Sequence, residues 1–276
     1  MGSDDGKPLR GPKQIEQAFN KLPMKAKLGV GLLAGVIGII VLYFVIEEHD
    51  TLFIMSESCH VLGICVLIYK LSTTKTCAGL SLKSQEVTAL FLAVRLYCSY
   101  IMEYDLHTLL DFLTLVTTLW VIFTIRTKLR PTYNAEADSL GHLFVVVPCL
   151  VLALIAHPTT SHFLAHRILW ALCVYLEAVS VAPQLKMMQN IQLVERFTAF
   201  YVFMLGIARF LSCSHWVLQM MKENSFLRTA LFSGLWPAMV LLSEIVQTFI
   251  LADFCYYYVV SVAQGSDMVR LPANIV

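Results

Sequence analysis

Eight apolar windows, each close to the 17 to 25 residues that a helix needs to cross a bilayer, divide this 276-residue chain. They run from Leu28 to Ile46, Phe53 to Leu71, Val87 to Glu103, Leu106 to Ile125, Leu140 to Ala156, Phe163 to Ala182, Phe197 to Met221 and about Pro237 to Val262. The last could begin near Leu227, with Pro237 bending or ending the preceding turn. With 58% hydrophobic and 14% charged residues, no soluble domain of this length has a core that could hide so much apolar surface. The chain reads as an all-α integral membrane protein, and the lipid bilayer is its first expected partner.

Charge placement sets the expected orientation. Lys7, Arg10, Lys13, Lys21, Lys25 and Lys27 precede the first span, and the next connection, "EEHD", is acidic. Lys70, Lys75 and Lys83, then Arg126, Lys128 and Arg130, then Lys186 and Arg196 fall in alternate loops. The loops between them, "EYD" and "HPTTSH", contain neither lysine nor arginine, and only Lys222 and Arg228 lie in the opposite connections. Both termini are expected in the cytosol. The first apolar run follows some two dozen polar residues and has no small-residue cleavage site, so it is read as a retained span rather than a secretory signal. A net charge of +1 with no basic stripe outside the tail and these loops gives no reason to expect a nucleic-acid partner.

Two segments look like copies of one another. "VTALFLAVRLYCS" from Val87 and "FTAFYVFMLGIARFLSCS" from Phe197 each carry Thr-Ala near the start and an arginine followed by a Ser/Cys cluster. The Thr-to-Arg spacing differs by four residues, about one helical turn, so Arg95 and Arg209 are expected on equivalent faces. Two triple-helix copies about an axis along the membrane normal are one way to build a site at mid-membrane. A guanidinium such as Arg95 at that depth costs about 2.5 to 3.5 kcal/mol on insertion scales, so something must hold it.

At "KTCAGLSLKSQ", "VYLEAVSVAPQL" and "DFCYYYV" the chain resembles the ER lumen protein retaining receptors, the KDEL receptors, and above all the related group with an added N-terminal helix. Pro183-Gln184 also resembles the signature of SWEET-like and PQ-loop transporters. The resemblance implies a SWEET/PQ-loop-like seven-helix bundle of two triple-helix repeats, plus one extra N-terminal transmembrane helix. The expected division is a basic cytosolic tail over 1–27, the extra helix over 28–46, the receptor-like bundle over 51–262 and a cytosolic tail over 263–276. It implies a luminal cavity that binds the C-terminal tetrapeptide of escaped ER proteins at Golgi pH and releases it in the ER. ER and cis-Golgi membranes are the implied location, and vesicle coat machinery is an implied partner.

Carried over by position, Arg95 matches the arginine that holds the peptide's terminal carboxylate, a role suited to a bidentate fork. The alternative is that Arg95 pairs permanently with an acid such as Asp253 or Glu177. His60 matches the histidine implicated in pH sensing; the alternative is a histidine satisfied by packing. Trp170 and Trp216 match pocket tryptophans, each an apolar wall with one donor. Glu177, Arg209 and Asp253 match intramembrane charges and are read as an internal network, with Glu177–Arg209 the favoured pair.

Other positions depart from the pattern. Phe53 and Gln219 stand where the receptors have arginines, Cys98 where they have an aspartate, Arg167 in place of an acid, and Ala208 and Ser212 in place of two tyrosines. Arg167 therefore faces the ligand side with reversed charge. The tail "QGSDMVRLPANIV" lacks the lysine pair that in the family recruits the retrograde coat.

His157, His162 and His166 cluster at one expected luminal edge, but no acid or cysteine close in sequence completes a metal site, and a pH-sensitive cluster is the better reading. No metal or cofactor is expected. Seven of the eight cysteines fall in apolar runs and read as packing residues; Cys77, in a loop, reads as an inert thiol. No catalytic motif or phosphate-binding glycine loop is present, so an enzyme is not expected. The reading from another class is a SWEET-like or PQ-loop transporter of a small anionic solute that uses the same arginine.

Overall fold

The computed structural model describes residues 33, 36–38, 50–102, 106–221, 235–266 and 268–271. The chain divides into two units, Met1–Glu47 and Glu48–Val276. In the first unit, Leu33 and Val36–Gly38 are helical; the rest of the expected extra span and the basic tail lie outside the described residues.

The second unit carries the bundle. Its helices are α1 (Asp50–Thr73), α2 (Leu82–Met102), α3 (Leu106–Thr127), α4 (His142–Ile155), α5 (Leu164–Val179), α6 (Ala182–Ile191), α7 (Arg196–Met221) and α8 (Leu235–Ala263). Helices α5 and α6 form one apolar stretch, Leu164–Ile191, so the described residues of this unit contain seven helical segments. Five of the seven are long and apolar enough to cross a membrane by length and composition. The other two, α2 and the 14-residue α4, are a more polar helix and a shorter one. Outward faces of the bundle carry Leu109, Phe112 and Phe123 of α3, Phe144 of α4 and Val259 of α8, all exposed, as a lipid-facing bundle requires.

Helices α1 and α7 share the most extensive seam, and α7 in turn packs on α8. Gly206 makes the second contact possible: a Cβ there would overlap the Cys255 sulfur and stand 3.6 Å from Leu251 Cβ. Gly206→Ala is expected to lower the thermal midpoint in detergent, at a cost of about 1 to 3 kcal/mol from overpacking. Adding Cys255→Ala should recover most of that loss, and failure of the double variant to recover would place the cause elsewhere.

The segments that carried the resemblance interlock at the end of the bundle where Lys70 lies. The Gln184 side chain accepts from Ser81 N at 2.8 Å and donates to Gly79 O at 2.8 Å, so the start of α6 holds the "CAGLS" turn through both ends of one amide. Gly79 turns there at φ +80°, in the left-handed region. Ser84 Oγ donates to Ser180 O at 2.7 Å, and Ser81 Oγ and Tyr133 OH both donate to Asp138, at 2.8 and 2.6 Å. Burial and the adjacent Asp138 carboxylate push the Tyr133 phenol up. Lys70 is fully buried, yet donates to Ala78 O at 3.0 Å and to Thr198 Oγ1 at 2.5 Å and pairs with Glu195 at 2.7 Å. A cation so enclosed persists only because every donor has an acceptor. Cys77 is likewise buried, its sulfur against Leu129 O at 3.3 Å.

Two boundaries differ from the expectations. Helix α2 begins five residues before Val87, because Ser84, Gln85 and Glu86 find partners on other elements that no hydropathy window registers. The span expected to end at Ala182 breaks at Ser180–Val181 and resumes as α6, with Pro183 in the first turn, where a missing N–H costs nothing. Lys186, read as a loop charge, is an exposed residue of that helix. A short antiparallel pair was not expected at all: β1 (Leu193–Glu195) aligns with β2 (Met268–Arg270), Val194 opposite Val269. Leu271 N adds a bond to Gln192 O at 3.0 Å.

Candidate functional site: an intramembrane arginine–carboxylate chain

Helices α2 and α7 deliver the two repeat arginines to equal depth. Arg95 and Arg209 each lie thirteen residues past the first residue of their helix, Leu82 and Arg196. At 1.5 Å per residue that is about 20 Å from the end of the bundle where both helices begin. The four-residue difference measured from threonine disappears, because Thr198 lies nearer its helix start than Thr88 does. Both guanidinium groups converge on one carboxylate of α5: Arg95 Nη1 is 2.9 Å from Glu177 Oε2, and Arg209 Nη1 is 2.5 Å from Glu177 Oε1. The favoured pair of the sequence reading is present, and Arg95 joins it.

Arg95 has a second acid. Its Nε donates to Asp111 Oδ2 at 2.8 Å and its Nη2 donates to Asp111 Oδ1, the paired geometry of a guanidinium–carboxylate fork. The guanidinium also sits 5.4 Å from the centroid of the Phe91 ring, which fixes its plane. A guanidinium left free to receive an anion is therefore not what the structure contains. Both of its edges are engaged, by Asp111 and by Glu177. The alternative of a permanent acidic neighbour named Glu177, which is present, and missed Asp111. The missed signal was plain in "HTLLD": a lone carboxylate inside an apolar span must have a cationic partner or a function.

None of the ion pairs that join Asp111, Arg95, Glu177 and Arg209 involves Asp253, which acts on Tyr257, one turn along α8. Helix α8 contributes Glu244 instead, 9% exposed, which accepts from Ser212 Oγ at 3.1 Å and lies close enough to Arg209 to interact with its charge. Ser212, at one of the departures from the family pattern, thus serves an acid that the pattern did not predict.

A small cavity of about 20 Å³, room for a water molecule, lies beside the network. His60, Ser84, Thr88, Glu177, Arg209 and Gln247 form its polar wall, and Gln247 Oε1 is buried there with no hydrogen-bond partner among the described residues. Such a wall suits ordered water. His60, 8% exposed, lies beside Glu177 and Arg209.

Arg167, Trp170 and Trp216 do not line that pocket. Arg167 turns to the α4–α5 connection, where Nε donates to Pro158 O and Nη2 lies 3.1 Å from His157 Nδ1. His166 meets the Tyr97 hydroxyl at 3.3 Å instead, so the histidines of this edge have separate partners. Trp170 packs, partly buried, on the cluster of Phe91, Leu92, Cys173 and Leu176, and Trp216 meets the His215 ring edge to face at 6.2 Å. Cys98 and Ala208 are buried, and the Ala208 carbonyl accepts from Ser56 Oγ at 2.8 Å. The side chains of Phe53 and Gln219 lie outside the described residues.

The comparisons agree with this architecture. The family described as ER lumen protein retaining receptor matches residues 76–219. ER lumen protein-retaining receptor A of Arabidopsis thaliana is 33% identical over 219 residues, 78% of this chain and 95% of that protein. The Drosophila melanogaster ER lumen protein-retaining receptor is 32% identical over 217 residues, 78% of this chain and 95% of that protein. Receptor erd-2.2 of Caenorhabditis elegans is 32% identical over 222 residues, 79% and 97%. Full-length similarity of this kind, over a bundle whose repeat arginines meet on one glutamate, identifies the chain as a member of the ER lumen protein-retaining receptor family.

Proposed function

We propose that this chain is a multi-pass receptor for the C-terminal retention peptides of ER luminal proteins, which it binds in the Golgi and returns to the ER. The observation that carries the reading is the similarity to retention receptors along nearly their whole length. The end bearing Lys70, Asp138 and the paired tail strand faces the cytosol, and the end bearing His157 and His166 faces the lumen. Coat machinery reads the cytosolic face.

Arg95 is the group suited to a terminal carboxylate, because a guanidinium in low dielectric discriminates an anion from an amide by charge and by paired geometry. His60 supplies the pH dependence. Around it stand one carboxylate, Glu177, and two competing cations, Arg209 and Arg95, with Ser84, Thr88, Ser180, Tyr201 and Gln247 as neutral polar neighbours. A peptide carboxylate seated on Arg95 offsets one of those cations, so ligand binding and proton uptake by His60 favour one another, and binding is stronger in the more acidic compartment.

The test is a binding screen on purified full-length protein with peptides ending Xaa-Asp-Glu-Leu, Xaa being Lys, His, Ala or Glu, at mildly acidic and neutral pH. Saturable binding that is stronger at the acidic value and absent for the C-terminal amides is expected. A complete lack of binding at both values overturns the reading.

A further inference from the structure

The two carboxylates on Arg95 do not have equal standing. Glu177 is held from two sides, by Arg95 and by Arg209. It ties α5 to α2 and α7 together. Asp111 is held, among the described residues, by Arg95 alone. Yet it takes the better seat, the Nε–Nη2 edge, where two parallel hydrogen bonds form, and leaves Glu177 the single Nη1 donor. A peptide's terminal carboxylate has the same charge, the same two oxygens and the same preference for that edge. It cannot be bound there while Asp111 is in place.

Charge counting points the same way. Arg95 and Arg209 stand against Asp111, Glu177 and Glu244, and Glu57 of α1 adds a further acid close enough to act on both Arg95 and Asp111. The other titratable neighbours are His60, Cys98 and Cys173. Among the described residues the two arginines are outnumbered by acids, so an incoming carboxylate gains little unless one already present withdraws. Of the acids, Asp111 is the one whose departure leaves Glu177 bridging both arginines, with the α2–α5–α7 connection intact. Its helix partner is also local: α3 packs beside α2, so a rotamer change at Asp111 breaks no contact between the repeats.

Resting on the receptor reading above, we infer that Asp111 is a built-in stand-in for the ligand: it occupies the carboxylate seat of Arg95 in the empty protein, and a peptide carboxylate binds by displacing it. Affinity is then set by a competition within the site, and Asp111 determines how strong a ligand must be to be retained.

The experiment measures the dissociation constants of the Xaa-Asp-Glu-Leu peptides (Xaa being Lys, His, Ala or Glu) and of their C-terminal amides on purified wild type, Asp111→Asn and Asp111→Ser at one fixed mildly acidic pH. Asparagine keeps the shape but offers Arg95 only a neutral acceptor, roughly half as strong as a charged one. Both variants are expected to bind free-carboxylate peptides at least tenfold more tightly than wild type and to gain nothing for the amides. Binding unchanged or weaker in the variants, with wild type still binding, overturns the inference and leaves the receptor reading standing. Variants that fail to fold overturn it as well, since Asp111 is then a structural counterion. No binding by any of the three proteins overturns the receptor reading and the inference with it.

Discussion

Arg95→Ala is expected to abolish binding of free-carboxylate peptides and, in the same step, to destabilise the bundle by about 3 to 5 kcal/mol, the usual penalty for stripping one partner from a buried ion pair. The two losses have different origins. Binding fails because the fork is gone. Stability falls because Asp111, 8% exposed at its side chain, loses the only ion-pair partner it has among the described residues, and Glu177 keeps only Arg209. Arg95→Lys separates them: the ammonium restores the charge and much of the thermal midpoint in detergent, but cannot make two parallel bonds to one carboxylate. Wild-type affinity in either variant would remove Arg95 from the ligand site. A thermal midpoint unchanged in Arg95→Ala would show that the network around it contributes little to the fold.

Glu177→Ala has the second large expected effect, and it acts at a junction rather than at an edge. The substitution leaves Arg95 with Asp111 but takes from Arg209 its ion pair, and it places two guanidinium groups near each other with nothing between them. A loss of about 3 to 5 kcal/mol follows from the same penalty, together with loss of peptide binding. The double-mutant cycle with Arg209→Leu tests the cause. Removing both charges deletes the uncompensated cation, so the double variant should be more stable than Glu177→Ala alone, with a coupling of about 0.5 to 3 kcal/mol. Additive losses would mean that Glu177 and Arg209 act independently, and the link between the repeats would have to be sought in apolar packing alone.

Much of this was legible in the sequence. The apolar windows gave the passes, and Thr-Ala followed by an arginine in two places gave the repeat, because a buried guanidinium is rare enough for two to be informative. The meeting of Glu177 and Arg209 followed from the same scarcity. Asp111 was legible too and was overlooked, since a hydropathy window averages one carboxylate away. What could not be read was set by geometry. Whether Arg95 is free depends on which acid of another helix reaches it, and that distance is tertiary. Arg167 was read as a pocket residue from its place in a pattern, but the α4–α5 connection offers it the Pro158 carbonyl and a ring nitrogen of His157 instead. The continuation of α5 as α6 was hidden by Pro183, which marks the start of a helix here as readily as the end of one.

The strand pair changes how the protein's tail can be handled. Val269 and Leu271 are buried and β2 is hydrogen-bonded to β1, whose Glu195 neutralises Lys70 deep in the α1–α7 seam. An adaptor that recognises a linear peptide cannot grip residues 268–271 as they stand. It must first unzip them, and the pull it applies is transmitted through a three-residue ladder to the salt link that closes the bundle's floor.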